Sequence, residues 1–209
     1  KNYSMLLLKQ GRYKEAWKLF DGRLKLNAFH EKNSNIDNIN KKLSNNKEFI
    51  REDKILVVRE QGIGDEILYA SMYADMLKKY PNTYFESDKR LITLFERSLN
   101  TKSKNIFFPF GTFTQKEKNL SDFKNVTFAG SLGKLFRNDH KDFTGKSFLK
   151  PDSNKVIKIK KILQNIGKEK KIGISWKSQK ARYSEDKTIN LEKLKPIFKI
   201  PNVKFINLQ

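Results

Sequence analysis

The residues whose types and spacing could do chemistry are Gly62, Gly64 and Asp65, in the run Gln61-Gly62-Ile63-Gly64-Asp65. Two glycines permit positive φ and close backbone approach. A ligand or a functional carboxylate at a helix N-terminus has a physical reason to be there. The same carboxylate can simply cap the helix, because a first turn leaves free N–H groups and a partial positive charge. Spacing alone leaves both readings open. The run is not the dinucleotide fingerprint, which needs a glycine or alanine three positions after the second glycine, and position 67 is isoleucine. A second candidate set is Ser131, Lys134 and Arg137, where small residues lead into two cations directly after an apolar run. At the carboxyl edge of a parallel sheet, such a segment suits an anionic or hydroxyl-rich group. Its alternative is a connecting loop with solvated charges.

Other chemistries find no matching pattern. The chain has no cysteine and two histidines, which removes disulfide and thiolate chemistry and leaves too few ligands for most metal sites. No Ser–His–Asp set, P-loop or Asp-x-Asp pattern is present. His30 reads as a solvated linker residue and His140 as a surface residue.

Positioning these groups requires strands and helices in alternation. Ile55-Leu56-Val57-Val58 is a buried-strand run, and Ile67, Ala70, Ala74 and Leu77 predict one helix after Asp65. Tyr80-Pro81-Asn82 stops that helix, and Thr83–Ser87 predicts a second strand. A helix over Asp88–Leu99 follows, then strands at Asn105–Phe108 and Val126–Ala129, with residues 109–124 looser. This order predicts an α/β fold with a largely parallel sheet covered on both faces. Ser153–Ile166 predicts a further helix ended by Gly167, before a new strand starting at Lys171-Ile172. A basic loop over 177–187, a helix over Leu191–Phe198 capped by Thr188 or Asn190, and a strand at Val203–Leu208 complete the chain. At the other end, LLLKQGRYKEAWKLF has the spacing of a helix–turn–helix repeat, with Gly11 at the turn and Ala16 and Phe20 in an A-x3-F pattern. It resembles the end of a tetratricopeptide array; an ordinary amphipathic hairpin is the alternative. Residues 30–53 are polar and asparagine-rich and read as a linker, with a short helix near Ile36–Leu43.

The 209 residues carry 44 Lys and Arg against 23 Asp and Glu, a net charge of +21, and 12% aromatics. That composition is not disordered. Most of the excess is lysine, which an AT-biased coding sequence would also produce. A functional reading of the charge favours sugar nucleotides, phosphorylated glycans or an acidic membrane face. No apolar run approaches the roughly 20 residues that cross a bilayer, and no signal-peptide pattern opens the chain. With the missing cysteines this fits a cytoplasmic protein, peripheral at an inner membrane if the charge has a role.

Three segments occur in order and at familiar distances: ILVVREQGIGDEILYASMYADML, SLGKLFR, and IGISWKS with DKTINLEKLKPIF and VKFINLQ. Together they resemble the glycosyltransferase family 9 (heptosyltransferase-like) domains fused to tetratricopeptide repeats in bacteria. The resemblance covers roughly the whole chain. It implies a GT-B fold, two Rossmann-like lobes facing across a cleft, and inverting, metal-independent sugar transfer from a nucleotide donor to a glycan, lipopolysaccharide-like or protein acceptor. It makes Asp65 the base, places Gly62, Gly64, Ser131, Lys134 and Arg137 on the acceptor side, and gives Ser175, Trp176, Lys177 and Lys187 to the donor diphosphate. No cofactor is implied beyond the donor itself. The corresponding organisation is repeat helices over 1–29, linker 30–53, acceptor lobe 54–150, connecting helix 151–170 and the beginning of a donor lobe over 171–209. Lys1 and Gln209 both look cut, so the expectation is a fragment, inactive alone. The linker lacks the tryptophan that often precedes the first strand in these fusions, so nothing in the sequence says how the repeat meets the lobe. Two other readings compete: a non-catalytic scaffold recruiting a protein through the repeat, and charge-driven nucleic-acid binding, for which no specific motif is present.

Overall fold

The computed structural model describes residues 2–25, 49–115, 120–177 and 187–209. The expected helix near Ile36–Leu43, His30 and most of the loop after Lys177 lie outside them. The chain divides into two compact units, Lys1–Pro151 and Asp152–Gln209.

In the first unit, strands β1 (Ile55–Val58), β2 (Thr83–Ser87), β3 (Phe107–Pro109) and β4 (Asn125–Phe128) form a parallel sheet ordered β3-β2-β1-β4. Val57 sits opposite Phe85 on one side and Thr127 on the other. The central strand β1 is buried on both faces, which is why it reads as an unbroken apolar run rather than an alternating one. Ile55 and Val57 face a core with Tyr73, Phe85, Phe95 and Phe107, while Leu56 and Val58 face a second with Leu120, Phe123, Val126 and Phe128. Phe85 stacks on Phe107 with ring centres 4.8 Å apart. The mixed α/β architecture with a parallel sheet is as expected.

The single helix expected after Asp65 is two: α3 (Ile63–Ala70) and α4 (Tyr73–Lys79). At the break the Ser71 hydroxyl donates to the Leu68 carbonyl at 2.7 Å, competing with the helical ladder. Arg137 donates to the Ser71 carbonyl at 3.0 Å. Helix α5 spans Ile92–Leu99. The third strand starts two residues later than expected, because Asn105 takes a left-handed φ of 47°. Strand β4 spans Asn125–Phe128, and Ala129 already begins a 3-10 turn (Ala129–Leu132) leading into the short helix α6 (Gly133–Phe136).

Before the sheet, α1 (Asn2–Lys9) and α2 (Tyr13–Phe20) form a hairpin that turns at Gly11, φ 74°, followed by a 3-10 turn over Asp21–Lys25. Ala16 and Phe20 are buried. This hairpin belongs to the same compact unit as the sheet.

In the second unit, Asp152 caps α7 (Ser153–Asn165) by accepting from Lys155 N–H at 3.0 Å, and Gly167 takes a φ of 113° after it. Strand β5 (Lys170–Ile174) pairs in parallel with β6 (Val203–Asn207). Between them Asn190, not Thr188, caps the 3-10 turn Leu191–Leu194 that leads into α8 (Lys195–Phe198). No described residue of this unit is fully buried. No helix among the described residues is long and apolar enough to cross a membrane.

Candidate functional site

After β1 the chain runs through Arg59, Glu60 and Gln61 into the first turn of α3. The expected positive φ does not fall on a glycine. Gln61 carries it, at φ 63°, while Gly62 is extended at φ −93°. A non-glycine residue in this region carries a cost of roughly 1–3 kcal/mol, sustained only where surroundings impose it. Here the Gln61 side-chain amide donates to the Tyr69 hydroxyl at 3.1 Å. Gly64 lies on the exposed first turn, where a Cβ would meet nothing within 4 Å. Its missing side chain leaves that backbone open to a ligand.

Asp65 closes the first turn of α3: its Oδ2 accepts from the Gly62 N–H at 3.1 Å. The half-buried carboxylate has no other partner among the described residues, so its second oxygen remains available. The next residue, Glu66, is completely buried. It accepts from Arg59 Nε at 2.5 Å and from the Asp88 N–H at 2.9 Å. Burial pushes its carboxyl up, against the pull of the Asp88 N–H and Arg59. Arg59 is thereby held at the strand ends, with its guanidinium 3.7 Å from Asp88 and 5.7 Å from the Phe110 ring centre.

An open pocket of about 460 Å³ lies there, lined by Arg59, Asp88, Lys89, Arg90, Pro109 and Phe110. Three cations face one carboxylate. Asp88 accepts from Arg90 Nε at 2.9 Å, and Arg90 holds its carboxyl well below the usual range despite partial desolvation. Ser87, at the end of β2, has a buried hydroxyl with no hydrogen-bond partner among the described residues. The pocket sits at the carboxyl ends of β1, β2 and β3, where open α/β sheets collect ligands.

The other half of this edge, at β4, is covered. The N-terminal hairpin and its following 3-10 turn lie on it. Trp17 donates to the Arg137 carbonyl at 2.6 Å, and its ring occupies the space where a side chain on Gly133 would stand. Ser131 donates to Asp21 at 2.6 Å, and Lys134 to Asp21 at 2.8 Å. Arg137 pairs with Asp75 at 2.8 Å. So three of the expected acceptor-side residues bind the chain's own elements, whereas Gly62, Gly64 and Asp65 lie at the start of α3, directly after β1. At the centre of the covered half, Arg23 forks onto Glu60 at 2.6 and 2.7 Å, and Glu60 also accepts from the Gly130 N–H at 2.6 Å.

In the second unit, Ser175, Trp176 and Lys177 follow the carboxyl end of β5. The Gln209 side chain accepts from the Lys177 N–H and donates to the Lys177 carbonyl, both at 2.9 Å. Ile189 N–H bonds the Trp176 carbonyl at 2.9 Å, and Lys187, two residues before Ile189, is exposed.

Arg23, Arg59, Glu60, Glu66, Asp88 and Arg90 were not candidates from sequence. The available signal was their arginine and acidic character at strand ends in a chain whose cations are mostly lysine.

The chain is 26% identical over 215 residues to Protein FlbA of Caulobacter vibrioides, a match that takes in 98% of this chain and 35% of that protein. It thus spans about a third of that relative's length. No family model matches, and no solved structure matches.

Proposed function

We propose that this chain contributes the acceptor side, and the beginning of the donor side, of an inverting glycosyltransferase of the family 9 type. The observation that supports it most is Asp65: one carboxylate oxygen accepts from the Gly62 N–H at the start of α3, and the other has no hydrogen-bond partner among the described residues. In the proposed step the free oxygen takes the proton of an acceptor hydroxyl. That hydroxyl oxygen bonds the anomeric carbon from the face opposite the nucleoside diphosphate, whose glycosidic C–O bond breaks with its electron pair. Ser175, Trp176, Lys177 and Lys187 are assigned to the diphosphate, where hydroxyl, N–H and ammonium donors offset its growing charge. Lys89 and Arg90, with Phe110 as an apolar wall, suit an anionic sugar acceptor. In this reading the hairpin is the last of a tetratricopeptide array.

Replacing Asp65 by Asn in the full-length protein keeps the Gly62 contact through the amide oxygen but removes the base. Transfer from the donor should fall by roughly 10²–10⁴-fold with thermal stability little changed. Undiminished turnover would remove Asp65 from the mechanism.

The competing scaffold reading has its own observation: Tyr3, Met5, Leu6 and Leu19 are exposed on the hairpin. Calorimetric titration of the full-length protein with a panel of sugar nucleotides separates the two, since a scaffold gives no heat with any of them.

A further inference from the structure

The most heavily bonded side chain at the carboxyl edge is Arg23, which comes from outside the sheet. All five of its N–H donors are used. Two go to the Glu60 carboxylate, one to the Ser131 hydroxyl at 3.0 Å, and two to the Phe20 carbonyl at 3.2 Å and Asp21 at 2.9 Å. Its side chain is 3% exposed and that of Glu60 0% exposed. Glu60 is the residue before Gln61, the one backbone position of the turn in the left-handed region. A strained turn persists only where neighbours over-determine it. On the far side of that turn Asp65 bonds back to Gly62. The near side is held by Glu60, and Glu60 is held by Arg23 and Gly130.

We infer that Arg23 and Glu60 are positioning residues: the N-terminal hairpin, through this buried ion pair, sets the conformation of the Gln61–Asp65 turn and so the aim of the Asp65 carboxylate. The hairpin is then part of the site rather than only a repeat attached to it. Gly130 belongs to the same device. A Cβ there would stand 2.5 Å from Glu60 Oε1 and 2.9 Å from an Arg23 nitrogen, and both groups are pinned.

Two ways of loosening the hairpin separate this role from plain support. Arg23→Lys keeps a charge but loses the fork, and Gly130→Ala wedges the pair apart while leaving both charges. Trp17→Phe weakens docking at the hairpin's other contact without touching Glu60. Hydrogen exchange of the full-length protein reads the turn through the Gly62 N–H and the Glu66 N–H, which bonds the Gly62 carbonyl at 3.0 Å. Arg23→Lys and Gly130→Ala should speed these amides at least tenfold, with β1 amides changed less than twofold. Trp17→Phe should leave the turn within twofold of wild type. Equal acceleration of turn and strand amides in Arg23→Lys and Gly130→Ala, no acceleration of the turn, or the same turn response to Trp17→Phe would each overturn the inference. A catalytic arm rests on the proposed transferase reading: Arg23→Lys should lower kcat at least tenfold with KM for the donor within twofold, and an unchanged kcat would overturn it there. Loss of the base assignment for Asp65 would leave the exchange result standing, so the two proposals fail separately.

Discussion

At the scale of single residues, the site is built from charges that are fully committed and charges that are not. Glu66 is committed: it holds Arg59 and the Asp88 N–H from a position with no solvent contact. Removing one partner of a buried pair leaves the other desolvated and alone, typically costing 3–5 kcal/mol, roughly. Arg59 is 17% exposed, so part of that cost is relieved by water. Glu66→Ala should therefore destabilise by about 2–4 kcal/mol, read as a lowered urea midpoint at unchanged slope. A change below about 0.5 kcal/mol would mean that Arg59 finds solvent without penalty. Lys89 is uncommitted, with no hydrogen bond or ion pair among the described residues. Its substitution should leave stability alone, whatever it does to ligands.

At the scale of elements, the hairpin's attachment has a pH dependence of known sign. Burial is the largest influence on Asp21 and raises its pKa, but hydrogen bonds from Lys134 and Ser131 and the charges of Lys134 and Arg23 outweigh it. The net position is below the ordinary value of 3.8. A carboxyl depressed on folding contributes stability above its unfolded pKa, and that contribution is lost as pH falls through the folded one. The hairpin should thus loosen at acid pH, starting as pH drops below the ordinary aspartate value. Trp17 fluorescence should report this, since its ring packs on Gly133; Trp17→Phe supplies the background from Trp176. In Asp21→Asn the acid step should vanish, and an unchanged step would assign it elsewhere. Sequence made some of these elements legible and hid their joins. The strand run Ile55–Val58 and the helix-opening position of Asp65 were readable because hydrophobic period and glycine spacing are local. The two-piece helix was not, because its break depends on Arg137 reaching Ser71 from 66 positions away. Nor was the fate of Ser131 and Lys134: nothing near them in sequence announces Asp21. Gln61 in the left-handed region defied the reading for the same reason, since its support comes from Tyr69 and the Glu60 anchor.

At the scale of the whole molecule, burial is very unequal between the two units. Leu56, Val57 and Val58 have no exposure at all, and two apolar clusters close over them. The second unit has two paired strands and, among its described residues, none that is fully buried, with Ile157, Ile159 and Ile162 about half exposed on α7. Two-stranded sheets in water are marginal unless something covers a face. Opening free energies in one chain then range from near zero to the global value. Native-state hydrogen exchange on the 209-residue chain should show this directly. Amides in β1 should exchange through global opening, whereas those of Ile172 and Ile174 in β5 should exchange at least about a hundredfold faster. The cause is testable within the same experiment. Gly173 lies where a Cβ would meet the Leu208 side chain at 2.4 Å, so β5 approaches the end of β6 closely here. Leu208→Ala should raise the exchange of β5 and β6 amides further while leaving β1 unchanged. Equal protection of the two units in the unmodified chain would instead mean that they open together, and the burial difference would not govern stability.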